Sequence, residues 1–134
     1  MTGFRQIYQF ANFCGVTPIQ WALANFMQDH PKHIQELSAF YQAKRDLFNS
    51  QIGTSRFKFQ PSQGTYFQNL DYSAIRPDLN DVEMCQYLAE QHKIVAIPVS
   101  VFYQKAPQDL RMIRFCFAKK DETLIQAGQI LSAV

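Results

Sequence analysis

From Ile34 to Phe48 the mainly apolar stripe recurs at helical spacing, and the sharpest boundary before it is Thr17-Pro18-Ile19-Gln20. Thr17 can cap, Pro18 suits the first helical position and Gln20 can close a capping box, so a helix is expected from there to about Met27. Pro31 can open the next, with Ile34, Leu37, Tyr41, Lys44 and Phe48 along one stripe and Gly53 as the stop. That is a long amphipathic helix of about five turns. Phe4 to Phe13 mixes aromatics with Gln and Asn at no clean period, and reads equally as a helix or an extended arm.

Past Gly53 the period changes to two. Phe57 and Phe59 mark one strand, Pro61-Ser62-Gln63-Gly64 a turn, and Thr65 to Leu70 a second strand. Asn80 and Glu83 have the spacing of a capping box, and Val82, Cys85, Leu88 and Ala89 supply a buried helical face through about Glu90. Ile94 to Val99 reads as a buried strand. Another follows at Leu110 to Ala118, and Asp121 caps a final helix with Leu124, Ala127, Gly128, Leu131 and Val134 on one side. Two or three helices, two strands, a helix, two strands and a helix make an α+β fold, with helices packed on one face of a small mixed β-sheet.

The strand Met112-Ile113-Arg114-Phe115-Cys116-Phe117 carries the strongest chemical signal. Alternation puts Met112, Arg114 and Cys116 on one face and Ile113, Phe115 and Phe117 on the other. A guanidinium in a half-apolar wall cannot shed its charge, and its planar fork matches a carboxylate or phosphate. The partner is either an internal Asp or Glu, the commoner case on spacing alone, or a ligand.

Composition narrows the classes. At 134 residues, 47% apolar and 14% aromatic, the chain can fill the core of one domain. Its formal charge is only +2, so there is no electrostatic footprint for nucleic acid. Cys14, Cys85 and Cys116 are widely spaced among apolar neighbours, which suits buried thiols in a reducing cytoplasm rather than disulfides or zinc. No stretch has the length of a membrane span. His30 and His33 lack a third ligand and suit a solvated helix end, while His92 suits a helix C-terminus, so no metal is expected. Beside Arg114 there remain two loops rich in Gly, hydroxyls and aromatics, Gln63-Gly64-Thr65-Tyr66-Phe67 and Pro98 to Tyr103, able to wall a pocket for a small carboxylate with an apolar tail.

Five strings in order carry a family resemblance: Thr17-Pro18-Ile19-Gln20; Tyr41 with Lys44-Arg45-Asp46; Gly64-Thr65-Tyr66-Phe67 with Asp71-Tyr72-Ser73; Ala96 to Tyr103; and Ile113 to Lys119. Together they resemble the C-terminal part of class I/II, fold type I, pyridoxal-phosphate aminotransferases, in the branch of methionine and kynurenine aminotransferases. The resemblance implies that Arg114 clamps the substrate α-carboxylate, that Gly64 and Tyr66 lie at the substrate pocket, and that Ser100 and Phe102 belong to the pocket edge. Two positions depart from the family's wording: Val16 stands where Asn is common, and Val99 where many members have Gly.

The resemblance also implies pyridoxal 5'-phosphate in the full-length enzyme, transfer of an amino group from an apolar, sulfur-containing or aromatic amino acid to a 2-oxo acid, and a homodimer in the cytoplasm. None of Lys32, Lys44, Lys58, Lys93, Lys105, Lys119 or Lys120 stands in the family's Schiff-base context. Residues 1–134 are therefore expected to be the small C-terminal domain, with 1–16 an arm or linker from a missing N-terminal large domain. Alone, the chain should hold no cofactor, contain no catalytic residue and be inactive. The alternative is a stand-alone interaction or small-carboxylate-binding module derived from that domain.

Overall fold

The computed structural model describes every residue from Met1 to Val134, in two compact units, Met1–Ser38 and Ala39–Val134. The first holds helices α1 (Thr2–Ala11) and α2 (Thr17–Asp29) and the start of α3 (Pro31–Ile52). The segment with no clean period is thus helical. Val16 rather than Thr17 precedes the first turn of α2, and no side chain caps it. Pro18 has no N–H to be capped, and the Gln20 side chain folds back over Gly15 instead of closing a box. Neither α1 nor α2 buries a residue, and Cys14, expected among the buried thiols, is exposed.

The second unit contains the rest of α3, then β1 (Phe67–Asp71), α4 (Asp81–His92), β2 (Ile97–Pro98), a 3-10 turn (Ser100–Phe102), β3 (Met112–Cys116) and α5 (Asp121–Ser132). The α+β class holds, in a three-stranded sheet of order β1-β3-β2 whose pairings are antiparallel rather than mixed. Two expected strands shrink. Around Phe57 and Phe59 only Lys58 pairs, through two hydrogen bonds with Asp71, and Pro61 cannot extend the ladder. Of Ile94 to Val99 only Ile97 and Pro98 pair with β3. Ile94 is committed elsewhere: its N–H closes α4 on the Leu88 carbonyl, past a left-handed Lys93.

The core is continuous across the second unit. Leu70, Ile113, Phe115 and Phe117 on the inner sheet face meet Phe48 and Ile52 of α3, Met84 and Leu88 of α4, and Leu124 and Leu131 of α5. The α4 capping box forms as expected, with Asn80 Oδ1 accepting from Glu83 N at 3.0 Å and Glu83 Oε2 from Asn80 N at 2.8 Å. Its buried face is Asp81, Met84 and Leu88, whereas Val82 is 43% exposed. Asp121 heads α5 without capping it; its carboxylate suits the positive helix end and pairs with Lys44 Nζ at 2.7 Å. No helix is long and apolar enough to cross a membrane.

Gly128 sits where α5 crosses α3. A Cβ there would fall 2.2 Å from Gln51 Cβ and 3.4 Å from the Gln51 backbone carbon. In an open helix, Gly to Ala gains about 1 kcal/mol of propensity. Here overpacking of about 1 to 3 kcal/mol opposes it. Gly128→Ala is expected to lower the urea midpoint; an unchanged or higher midpoint would show that Gln51 yields freely.

Burial pushes the Tyr72 phenol up from 10.0 to about 12, and the Cys85 thiol from 9.0 to about 12. Both groups then hold their protons in the folded chain at a pH where the unfolded chain releases them. Their stabilising contribution is complete below about pH 9 and is lost as pH rises toward 12. Urea melts should therefore weaken through that window, Cys85→Ser flattening the lower part of the decline and Tyr72→Phe the upper part. Equal slopes in wild type and both variants would contradict the assignment.

Candidate substrate-carboxylate site

Arg114 occupies the middle of the central strand, opposite Asn69 of β1 on one side and Ile97 of β2 on the other. Residues directly opposite in antiparallel pairs share a face. The outer face therefore presents Phe67, Asn69 and Asp71 beside Met112, Arg114 and Cys116, each half-buried, while Ile113 and Phe115 turn inward as the alternation requires.

The Arg114 side chain is fixed by neutral groups. Nε–H donates to Asn69 Oδ1 at 3.2 Å, and Cζ lies 4.4 Å from the Phe102 ring centroid and 5.2 Å from that of Phe67. The ion pairs of the chain are Lys44–Asp121, Arg45–Asp46 and Arg76–Asp78, so Arg114 meets no internal carboxylate. Of the two partners the strand pattern allowed, the internal one is not formed. A carboxylate approaches a guanidinium in its plane along the Nη edge. Contacts through the guanidinium face and through Nε leave that edge to a ligand.

Tyr66 joins the same aromatic run. Its ring centroid is 4.5 Å from Phe67 and 6.1 Å from Tyr41, and its carbonyl accepts from Phe117 N at 2.9 Å. Gly64 lies outside this cluster, exposed, with nothing within 4 Å of where a Cβ would stand. The left-handed backbone of the loop falls on Thr65, at φ 68°. No contact within the chain therefore requires glycine at 64. Ser62 braces the loop, its hydroxyl donating to the Phe67 carbonyl at 2.6 Å and its carbonyl accepting from Arg45 Nη1 at 2.9 Å. Beside β3 an open cavity of about 410 Å3 is lined by Phe48, Ile97, Phe115 and Leu124, with Lys93 and Lys119 as cations besides Arg114.

Asn69 and the buried Asp81 escaped the reading of the sequence. Asn69 was within reach, lying at period two on a recognised strand, but its meeting with Arg114 depends on a register the sequence does not print. Asp81, in the first turn of α4, is 4% exposed. His92 approaches Tyr87 Oη at 3.2 Å, and no three His, Cys, Asp or Glu side chains are grouped to hold a metal.

Residues 2–129 match the family model for aminotransferase class I and II. The chain belongs to the class I and II aminotransferases. It is 42% identical over 127 residues to methionine aminotransferase of Escherichia coli K12, covering 95% of this chain and 32% of that protein. To kynurenine–oxoglutarate transaminase 3 of Rattus norvegicus it is 30% identical over 143 residues, 94% of this chain and 32% of the relative. Among solved structures it superposes on Escherichia coli YbdL, described as having a methionine aminotransferase function, with a TM-score of 0.86 and 41% identity over 97% of this chain and 34% of that one. N-succinyldiaminopimelate aminotransferase from Mycobacterium tuberculosis gives a TM-score of 0.79 at 30% identity, over 98% of this chain and 34% of the other. This aminotransferase chain thus spans about a third of the length of these relatives.

Aminotransferases of this family use pyridoxal phosphate, which supplies the electron sink for amino-group transfer. The groups here do not fit a complete site for it. Lys44 is paired with Asp121, Lys93 donates to the Glu90 carbonyl at 2.8 Å, and Lys32, Lys58, Lys105, Lys119 and Lys120 are exposed. Lys93 and Lys119 share a cavity with Arg114, the first donating to the Glu90 carbonyl and the second exposed, and neither is buried as a cofactor-bearing amine would be.

Proposed function

We propose that this chain is the C-terminal domain of a pyridoxal-phosphate aminotransferase, and that Arg114 anchors the α-carboxylate of an amino acid and then of a 2-oxo acid. The observation carrying this is a guanidinium held by Asn69, Phe67 and Phe102 with no internal carboxylate. A bidentate hold on the carboxylate fixes the plane of the substrate, and with it the direction of the Cα–H bond that must break. Tyr66 contributes an aromatic wall, and Gly64 leaves room beside it for a ligand. Methionine and aromatic amino acids are the proposed donors, in keeping with the names of the methionine and kynurenine relatives. On this reading the lysine, the phosphate cradle and most of the side-chain pocket come from a large domain and a partner subunit of a cytoplasmic homodimer. Exposed Phe4, Ile7, Phe10, Phe13, Ile19 and Trp21 support a covering of the first unit by further protein.

The test pairs two proteins. An enzyme carrying residues 1–134 behind such a large domain should transfer the amino group of methionine to a 2-oxo acid. The 134-residue chain alone, mixed with pyridoxal phosphate, should give neither turnover nor a stoichiometric lysine-bound cofactor band that borohydride fixes. Turnover by the chain alone would overturn the division of labour, and a long enzyme indifferent to every amino acid would overturn the activity.

A further inference from the structure

The ring nearest to Arg114 is not held by the sheet. Phe102 ends the 3-10 turn Ser100–Phe102, a turn closed by two backbone hydrogen bonds, Phe102 N to Val99 O at 3.1 Å and Tyr103 N to Ser100 O at 3.0 Å. Residues 101 to 105 are exposed, so little packing holds the turn from outside. Its start is held by the buried Val99 that precedes it and by a carboxylate nineteen residues earlier in sequence, Asp81 Oδ2 accepting from Ser100 N at 2.6 Å. Asp81 is 4% exposed and forms no ion pair with any Lys or Arg of the chain. A buried carboxylate without a cationic partner is costly unless its hydrogen bonds and local dipoles compensate. Its place in the first turn of α4, behind the Asn80–Glu83 capping box, supplies the positive helix end, and the Ser100 N–H supplies a short charge-assisted bond.

We propose that Asp81 is a positioning residue for the carboxylate anchor, acting through the turn: it fixes Ser100, the turn then sets Phe102, and Phe102 sets the plane of the Arg114 guanidinium. This deepens the function proposed above and rests on it for its catalytic consequence, although the chain of contacts is physical and can be read without any reaction. Losing the Asp81 bond frees the start of a three-residue turn whose far end is the ring. The guanidinium keeps Asn69 and Phe67 but loses its nearer face contact, so it samples more rotamers and meets the carboxylate less often in the bidentate pose. The expected cost is therefore in the KM for the amino acid, with kcat changing less. Asp81→Ala should raise that KM about 10-fold, and Asp81→Asn, which keeps a neutral acceptor, about 3-fold.

The experiment uses arginine-labelled 134-residue chain and follows the Arg114 Nε–H resonance, identified by its disappearance in Arg114→Lys. Rings above the guanidinium shift this resonance, and Phe102→Leu should move it to the position it has without the nearer ring. Asp81→Ala should move it most of the way to that position, Asp81→Asn part of the way, and Asp81→Ala placed in the Phe102→Leu background should move it no further. If Asp81→Ala or, should that variant not fold, Asp81→Asn leaves the resonance where it was, or shifts it equally with and without Phe102, the positioning role is overturned. The KM of the longer enzyme is measured in parallel. A shifted resonance with an unchanged amino acid KM keeps the coupling of Asp81 to Arg114 and rejects Arg114 as the anchor; an unshifted resonance rejects the coupling and leaves the anchor to its own test.

Discussion

Arg114→Ala, in an enzyme that contains this segment, is expected to lower kcat/KM for amino acids by about 30-fold to several thousandfold, the equivalent of about 2 to 5 kcal/mol for truncating one partner of a desolvated charge pair. Two features support so large an effect. The residue is half-buried in the central strand, where a ligand carboxylate is poorly screened by water, and its Nη edge has no internal acid to fall back on. Lysine is a poor substitute: an ammonium offers a point charge, cannot take both oxygens in one plane, and loses the bond from Nε to Asn69. Arg114→Lys should therefore fall between wild type and alanine. The loss should be similar for methionine and for aromatic donors, because the contact is to the carboxylate common to both. An amine without a carboxylate should be affected far less. The measurement is the ratio of amino acid to amine turnover in wild type and mutant, and an unchanged ratio in folded protein would assign Arg114 to structure alone.

Phe48→Ala is expected to cost about 3 to 5 kcal/mol of stability, enough to unfold much of a marginal chain. Phe48 is 2% exposed, its ring lies 6.1 Å from that of Phe115, and it joins α3 to the inner face of the strand that bears Arg114. Removing it leaves a cavity between a helix and a sheet, neither of which closes easily over so large a volume. Phe48→Leu keeps most of the buried area and should lose roughly a third of that. Urea unfolding followed by circular dichroism separates the two, and equal midpoints for alanine and leucine would show that the site collapses freely.

Period and punctuation made much of this fold legible. Pro31 and Gly53 bracketed α3, Asn80 and Glu83 fixed the start of α4, and the alternation of Met112 to Phe117 assigned every side chain of β3 to the face it occupies. The failures fall where tertiary pairing overrides local pattern. Ile94 to Val99 has the composition of a strand, yet one end closes a helix and the ladder stops after Pro98. Phe57 to Phe59 alternates properly but finds only one cross-strand residue before Pro61. At the site, Arg114 was visible because a permanent charge among Ile, Phe and Met demands a partner. Asn69 and Phe67 were not visible as its supports, because strand register is a property of two segments at once. Asp81 was hidden for a related reason: first-turn acids are common on exposed helices, and the partner of this one, Ser100 N, lies nineteen residues further along the chain.

The rings and the amide around Arg114 also decide when its freedom is lost. Arginine carries about 2 kcal/mol of rotamer entropy, and an arginine waiting in solvent surrenders much of it at the moment a ligand arrives. In this chain Phe102, Phe67 and Asn69 restrict the side chain before any ligand is present, so the disorder is given up during folding. A carboxylate then meets a guanidinium that is already still. Its capture should carry little entropic cost of side-chain ordering to offset the bonds it makes, so its free energy should weaken less steeply as temperature rises than that of capture by a mobile surface arginine, whose ordering cost grows with temperature.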